Sequence, residues 1–119
     1  MSSIRRGSKR SEIPVYLNDD EDPAFIVRFT PGDMKNVVYI DQINTAYAAL
    51  KSAAEIQDMA VLISRIEQNF DAMTDPGTYA LISRNDTGGD YGLLQDVLGE
   101  IARITTAERD QVLEKYRAG

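Results

Sequence analysis

The fold of this chain is decided by residues 56–73, IQDMAVLISRIEQNFDAM. Apolar residues recur here three and four positions apart, which is the stripe of an amphipathic helix about five turns long. The stripe consists of Ile56, Met59, Ile63, Ile66, Phe70 and Met73. Polar residues separate its members, so the opposite face contacts water and the stripe must pack on another element. Pro76 and Gly77 predict the end of the helix.

A chain of 119 residues is long enough for one domain with an apolar core of its own. No apolar run approaches the roughly 20 residues that a membrane-spanning helix needs, so we expect a soluble protein without membrane contact. The basic residues near the start are not followed by an apolar segment. We therefore expect no cleaved signal peptide and a location inside a cell.

The chain has no cysteine and no histidine, which excludes disulfides, thiolate sites and imidazole catalysis. Two pairs of carboxylates lie four residues apart, Asp71 with Asp75 and Asp86 with Asp90. Such pairs can serve acid–base or metal chemistry, but the Gly and Pro residues around them favour solvated acids. We expect a protein that is not an enzyme, with no catalytic residue, metal or cofactor.

The net charge of −6 is unevenly distributed along the chain. Residues 1–12 carry four basic side chains and one acid and offer little to bury, which predicts a disordered basic arm that aids solubility. Residues 13–119, with nine basic and eighteen acidic side chains, are predicted to form a single domain. Because so acidic a domain repels phosphate backbones, we expect it to bind no nucleic acid.

Two short segments near the start, residues 13–17 and 24–29, are rich in β-branched and aromatic residues. Alternation along both segments gives each one more apolar face, which predicts a β-hairpin. The acidic connection between them lacks the spaced ligands and sharp Gly turn of a calcium loop. We interpret it as a charged segment that protects an exposed hairpin from pairing with other chains.

A helix is predicted to begin at Thr30, with Thr30 as N-cap, Pro31 at the first position and Asp33 in the first turn. Its apolar stripe consists of Val37, Ile40, Ile43, Tyr47 and Leu50. This stripe and the one that starts at Ile56 lie on different faces of one continuous helix. Either the helix breaks near Ser52, or one long helix is contacted from two sides.

The remaining segments are also predicted to be helical. A short apolar segment at residues 79–82 and a loop at 85–90 precede a helix over residues 91–103. A capping box from Thr105 to Glu108 predicts that a separate last helix begins there. Acidic and basic residues are mixed along this last helix, which argues against binding in the major groove of DNA. The fold class is therefore mainly α, an N-terminal β-hairpin followed by a small bundle of about four helices.

Two apolar stripes on different sides of the helical region are more than a domain of this size can bury completely. We therefore expect self-association and binding to a long helical partner through the surface that remains. The candidate partner-binding residues are Ile43, Tyr47, Leu50, Ile56, Met59, Ile63, Ile66 and Phe70.

The order of these segments resembles the tail assembly chaperones of long-tailed bacteriophages. The stretch FIVRFTPGDM, residues 25–34, is similar to that family's strand and proline-marked helix start. The block IEQNFDAMTDPGTYALI, residues 66–82, is similar to its helix ending in an aromatic–Asp pair before a Gly-Thr turn. YGLLQDVLGEI, residues 91–101, resembles the following helix. Pro76 departs from the family pattern, in which a Gly-rich turn is more usual.

The resemblance implies a protein of the host cell cytoplasm that binds the tape measure protein and keeps it soluble until the tail tube assembles around it. Two other classes are alternatives. A phage head–tail connector or tail completion protein would form a closed ring. An acidic inhibitor that mimics nucleic acid would bind a basic enzyme in a salt-sensitive manner.

Overall fold

The computed structural model describes residues 10–86 and 92–117, and in α4 it leaves the side chains of residues 112 and 115–117 undescribed. The elements are β1 Ser11–Val15, β2 Phe25–Phe29, α1 Lys35–Ser52, α2 Ile56–Met73, α3 Thr78–Asn85 and α4 Gly92–Arg117. This order confirms the mainly helical fold with an N-terminal hairpin followed by four helices.

The hairpin pairs β1 with β2 in antiparallel register, with Ser11 opposite Phe29 and Val15 opposite Phe25. Alternation places Val27 and Phe29 on the inner face, where both are fully buried. Because β1 begins at Ser11, Ser11 and Glu12 belong to the hairpin and not to the arm, so the predicted end of the arm at residue 12 was wrong. Residues 1–9 of that arm lie outside the described residues.

The start of α1 differs from the prediction, because Thr30 is not its N-cap. Thr30 and Asp33 close a turn through the Asp33 N–H and the Thr30 carbonyl, 3.1 Å apart, and α1 begins only at Lys35. Asp33 Oδ1 accepts the Lys35 N–H at 2.9 Å, so Asp33 satisfies the first helical donor. Pro31 fits the second position of a turn as well as the first turn of a helix, which explains the error.

The chain breaks between α1 and α2, which decides between the two alternatives left open by the sequence. Ala53 and Glu55 have extended backbones, and the helices on either side pack against each other as a helical hairpin. Ile43 of α1 and Ile66 of α2 are both fully buried. Both stripes therefore contribute to one core.

α4 is a single helix of 26 residues, so the predicted start of a separate helix at Thr105 was wrong. No Gly or Pro occurs after Gly99 in this helix. The apolar series of Val97, Ile101 and Ile104 continues to the residue before Thr105, and its packing on the core favours a helix that continues through the supposed cap.

One apolar cluster joins all six elements. Its buried members are Val15, Val27, Phe29, Ile43, Ala46, Ile66, Phe70, Met73, Tyr79, Ile82, Leu94, Val97, Leu98 and Ile101. The cluster lies where the inner face of the hairpin, the C-terminal half of α2 and the N-terminal half of α4 meet. The N-terminal end of α2 and the C-terminal half of α4 extend away from it.

Candidate partner-binding surfaces

Three of the eight candidate partner-binding residues are fully buried in the chain's own core. Ile43, Ile66 and Phe70 have 0% exposed surface. Phe70 lies near the end of α2 and contacts the cluster that the hairpin and α4 complete. These three side chains stabilise the fold and present no surface to a partner in this conformation.

Three further candidates lie at the margin of the core. Tyr47, Leu50 and Ile63 are half-buried and pack against the buried cluster. The Lys51 ammonium lies 4.8 Å from the centre of the Tyr47 ring, a cation–π contact that covers part of that ring. Only the outer edges of these three side chains remain accessible.

The last two candidates, Ile56 and Met59, form the exposed end of the α2 stripe. Ile56 is 82% exposed although it continues the same helical face as Ile63, and Met59 is half-buried. The stripe is longer than the core that it serves, so its first turn carries apolar surface into solvent. Of the eight candidates, Ile56 has the most surface available for binding.

A second apolar surface is a groove between the start of α1 and the C-terminal half of α4, which we call the α1–α4 groove. It has a volume of about 680 Å³. Its lining residues are Pro31, Gly32, Asp33, Met34, Val37, Thr105, Thr106, Glu108, Arg109 and Leu113. Met34, Val37 and Leu113 are 71%, 50% and 48% exposed, so large apolar side chains line the groove while about half or more of the surface of each contacts water.

The wall that α4 contributes to this groove does not pack on the core. Every residue from 106 to 111 is exposed, whereas Thr105 at the start of the wall is buried. The Thr105 hydroxyl oxygen makes no hydrogen bond to the described part of the chain. The helix therefore has no packing partner over this length within the described part of the chain.

Sequence reasoning missed the groove as a binding surface. It placed Val37 in the core stripe of the first helix and Leu113 in a separate last helix, and assigned neither to a partner. No local pattern in the sequence indicated the groove, because it forms only where the start of α1 and the C-terminal half of α4 lie side by side.

The carboxylates Asp71 and Asp75, at the corner between α2 and α3, are partly exposed to solvent and also have structural roles. Asp71 Oδ2 accepts the Gly77 N–H at 3.1 Å, and Asp71 Oδ1 accepts the Tyr79 N–H at 2.9 Å. Asp75 Oδ1 pairs with Arg10 Nη2 at 3.0 Å. Asp71 therefore caps the start of α3, and the aromatic–Asp and Gly-Thr elements of the quoted motif form one corner.

Two further contacts of Arg10 tie the start of β1 to the rest of the domain. Arg10 Nη2 donates to the Arg28 carbonyl at 3.1 Å and to the Thr74 carbonyl at 3.4 Å. Together with the Asp75 ion pair, these bonds connect both strands to the end of α2. Asp90, the partner proposed for Asp86, lies outside the described residues.

On the surface of α4, the Arg103 guanidinium hydrogen-bonds Glu100 and lowers the pKa of that carboxyl below its ordinary value. Both groups are exposed, so the pair contributes little to stability. Residues 10–86 and 92–117 contain no group of three or more acidic side chains that could hold a metal ion. Within the same ranges, no helix has the length and apolar character needed to cross a bilayer.

Comparisons with protein-family models, with curated protein sequences and with solved structures return no match for this chain. The surfaces described above are therefore the basis for assigning a function.

Proposed function

We propose that this chain is a tail assembly chaperone of a long-tailed bacteriophage, which binds the tape measure protein in the host cell cytoplasm and keeps it soluble. The observation that carries the proposal is the apolar surface that remains after the core has formed. Ile56 is 82% exposed at the end of the α2 stripe, and Met34 is 71% exposed in the α1–α4 groove. Exposed apolar surface of this kind marks binding sites for other chains.

The charge distribution supports the same role. Residues 13–119 carry nine basic and eighteen acidic side chains, so a complex with an aggregation-prone partner would keep a strongly negative surface. Such a net charge keeps proteins soluble. The proposed activity is binding and not catalysis, because the carboxylates at the α2–α3 corner are engaged by backbone N–H groups and by Arg10.

The resemblance of residues 66–82 to the chaperone family acquires a physical basis from the α2–α3 corner. Phe70 is buried, Asp71 caps α3, and Gly77 has a φ of 89° that favours glycine. These residues would be retained in a family because they build the fold, and they leave the exposed surfaces free to bind. A structural role for the motif residues is therefore compatible with the proposed binding function.

The test is co-expression of the chain with a fragment of a tape measure protein encoded beside it. We expect the fragment to be soluble with the unmodified chain and insoluble without it. Ile56→Asp should lower the soluble fraction, while Gln57→Asp, which adds the same charge at the next exposed position, should not. A fragment that stays insoluble with the unmodified chain would contradict the proposed chaperone function.

Self-association belongs to the same proposal, because the exposed apolar end of the α2 stripe at Ile56 can also bind a second copy of the chain. Light scattering over a range of concentrations should show a mass above that of the 13.2 kDa chain. A closed ring of fixed size that does not bind the tape measure fragment would support the head–tail connector or tail completion alternative instead.

A further inference from the structure

The α1–α4 groove has the dimensions of a binding site for a helix. On α4, Thr105, Arg109 and Leu113 follow one another at intervals of four residues and so lie along one side of the helix. Their span is about 12 Å, or roughly two helical turns. On the opposite wall, Met34 and Val37 are three residues apart at the start of α1. The wall that α4 contributes is therefore about as long as two turns of an incoming helix.

The exposure of the lining indicates a polypeptide segment and not a small ligand. Met34, Val37 and Leu113 each keep about half or more of their surface in water, so the groove is open along its length. Small-molecule sites enclose most of the ligand, whereas grooves between helices accept the apolar side chains of an amphipathic helix. Thr106, Glu108 and Arg109, which are exposed and line the groove, would also be covered by such a segment.

The charges along the groove select the occupant. Asp33 and Glu108 line it, and the one described cation in the lining, Arg109, forms an ion pair with Asp110 at 3.6 Å. The described rim therefore has an excess of negative charge. An incoming helix with Lys or Arg beside its apolar residues would complement these carboxylates.

A second copy of the chain fits this groove less well. Its exposed end of the α2 stripe carries Glu55 and Asp58 beside Ile56, and these carboxylates would face Asp33 and Glu108. Like charges placed across an interface disfavour the pairing. The chain's own residues 1–9 contain three basic side chains but only Met1 and Ile4 as large apolar residues, so they offer little to bury.

We propose that the α1–α4 groove binds an amphipathic helix of the partner whose apolar face is flanked by Lys and Arg side chains. This inference rests on the proposed function, since it names the surface and the chemistry through which the partner is bound. Val37, Met34 and Leu113 supply the apolar contacts, and Asp33 and Glu108 set the preference for basic flanks.

The first test uses two fluorescent synthetic peptides of about 18 residues, long enough for five helical turns. Both have leucines at helical spacing, one with lysines on the flanks and the other with glutamates at the same positions. With the full chain, we expect the lysine peptide to bind at least about tenfold more tightly than the glutamate peptide. Equal binding of the two peptides, or no binding of either, would overturn the inference.

Matched variants locate the binding site. Val37→Asp and Leu113→Asp should each weaken binding of the lysine peptide by about tenfold or more. Val38→Asp is the control, because Val38 is 56% exposed on the same helix and does not line the groove. All three positions are exposed, and circular dichroism should show unchanged helix content. Equal losses for Val37→Asp and Val38→Asp would overturn the inference.

Two charge reversals that change the net charge by the same amount test the selectivity. Glu108→Lys should weaken binding of the lysine peptide and strengthen binding of the glutamate peptide. Both changes in affinity should become smaller as salt is added. Glu67→Lys changes the net charge equally on the exposed face of α2, which does not line the groove, and should leave both affinities within about twofold. Identical effects of the two variants would contradict a site at Glu108.

The other occupants give distinct outcomes. If the unmodified chain is a dimer that Val37→Asp converts to a monomer, the occupant is a second copy and the inference fails. If Ile4→Asp raises the affinity for the lysine peptide about tenfold, residues 1–9 occupy the groove and the inference also fails. An unchanged mass of Val37→Asp and an unchanged peptide affinity of Ile4→Asp support a partner helix.

Co-expression separates this inference from the proposed function. If the tape measure fragment is kept soluble by Val37→Asp as well as by the unmodified chain, the chaperone function stands and the groove inference fails. If the lysine peptide binds the groove but the fragment is never kept soluble, the groove inference stands and the chaperone function fails.

Discussion

At the scale of single residues, Asp71 connects the end of α2 to the start of α3. Its two carboxylate oxygens accept the N–H groups of Gly77 and Tyr79, which lie six and eight residues further along the chain. Both donors are at the start of α3, where backbone N–H groups have no partner within the helix. Asp71 therefore holds α3 at a fixed angle to α2.

Replacing Asp71 by alanine should lower the free energy of unfolding by about 1 to 3 kcal/mol, because two charge-assisted hydrogen bonds are lost and one of the donors is partly buried. Urea unfolding of the full chain measures the loss. Glu67→Ala is the control on the same helix, because Glu67 is exposed, and it should change stability by less than about 0.5 kcal/mol. Equal stability of the two variants would show that Asp71 is not a cap.

The backbone of Gly77 gives a second prediction at this scale. Its φ of 89° lies in the left-handed region, and a Cβ placed there would meet no atom within 4 Å. The cost of Gly77→Ala is therefore conformational and not steric, about 1 to 2 kcal/mol. Gly32→Ala also meets no atom within 4 Å but has no left-handed φ, so it should leave the melting temperature nearly unchanged. A Gly77→Ala variant as stable as the unmodified chain would contradict a left-handed backbone at this position.

At the scale of elements, the boundaries were harder to predict than the elements themselves. The repeated three- and four-residue spacing of apolar side chains predicted α2 with its observed bounds, because core packing uses that same spacing. The start of α1 was misplaced because Pro31 favours a turn as well as a helix start. Thr105 was misread because a capping signal is local, whereas its burial against the rest of the chain is not.

The candidate surfaces show the same limit. Helical spacing identified Ile56 and Met59, but it could not show that the core ends before the stripe does. The α1–α4 groove requires Val37 and Leu113, far apart in the sequence, to lie near each other. Such proximity depends on how α4 packs across the bundle, which no local pattern contains.

The continuity of α4 leads to a prediction of opposite sign to that for Gly77. Gly99 lies inside α4, is exposed, and has room for a Cβ with no atom within 4 Å. Gly99→Ala should raise the free energy of unfolding by about 0.5 to 1 kcal/mol, because alanine loses less backbone entropy in a helix. Thermal unfolding measures the gain. A lower melting temperature would show that α4 is bent or interrupted near this position.

At the scale of the whole molecule, one small core holds together an elongated domain of 59 × 35 × 25 Å. The core occupies the region where the hairpin, α2 and α4 meet, and it leaves the first turn of α2 and the second half of α4 without cover. Stability and binding are therefore separated in space. Substitutions at the two ends of the same helix should have different consequences.

The last prediction compares Ile66→Asp with Ile56→Asp, the same substitution on one stripe of one helix. Ile66 is 0% exposed, so the variant places an unpaired carboxylate in the core and should lose at least about 4 kcal/mol of stability. The free energy of unfolding of a typical domain is about 5 to 15 kcal/mol, so this loss is a large part of it. The Ile66→Asp variant should therefore be mostly unfolded at 37 °C. Ile56 is 82% exposed, so its variant should keep the helix content and melting temperature of the unmodified chain. Circular dichroism measures both, and co-expression with the tape measure fragment then separates the roles: the folded Ile56→Asp variant should keep less of it soluble. If Ile56→Asp also unfolds the chain, the first turn of α2 belongs to the core, and the groove between α1 and α4 is left as the candidate surface.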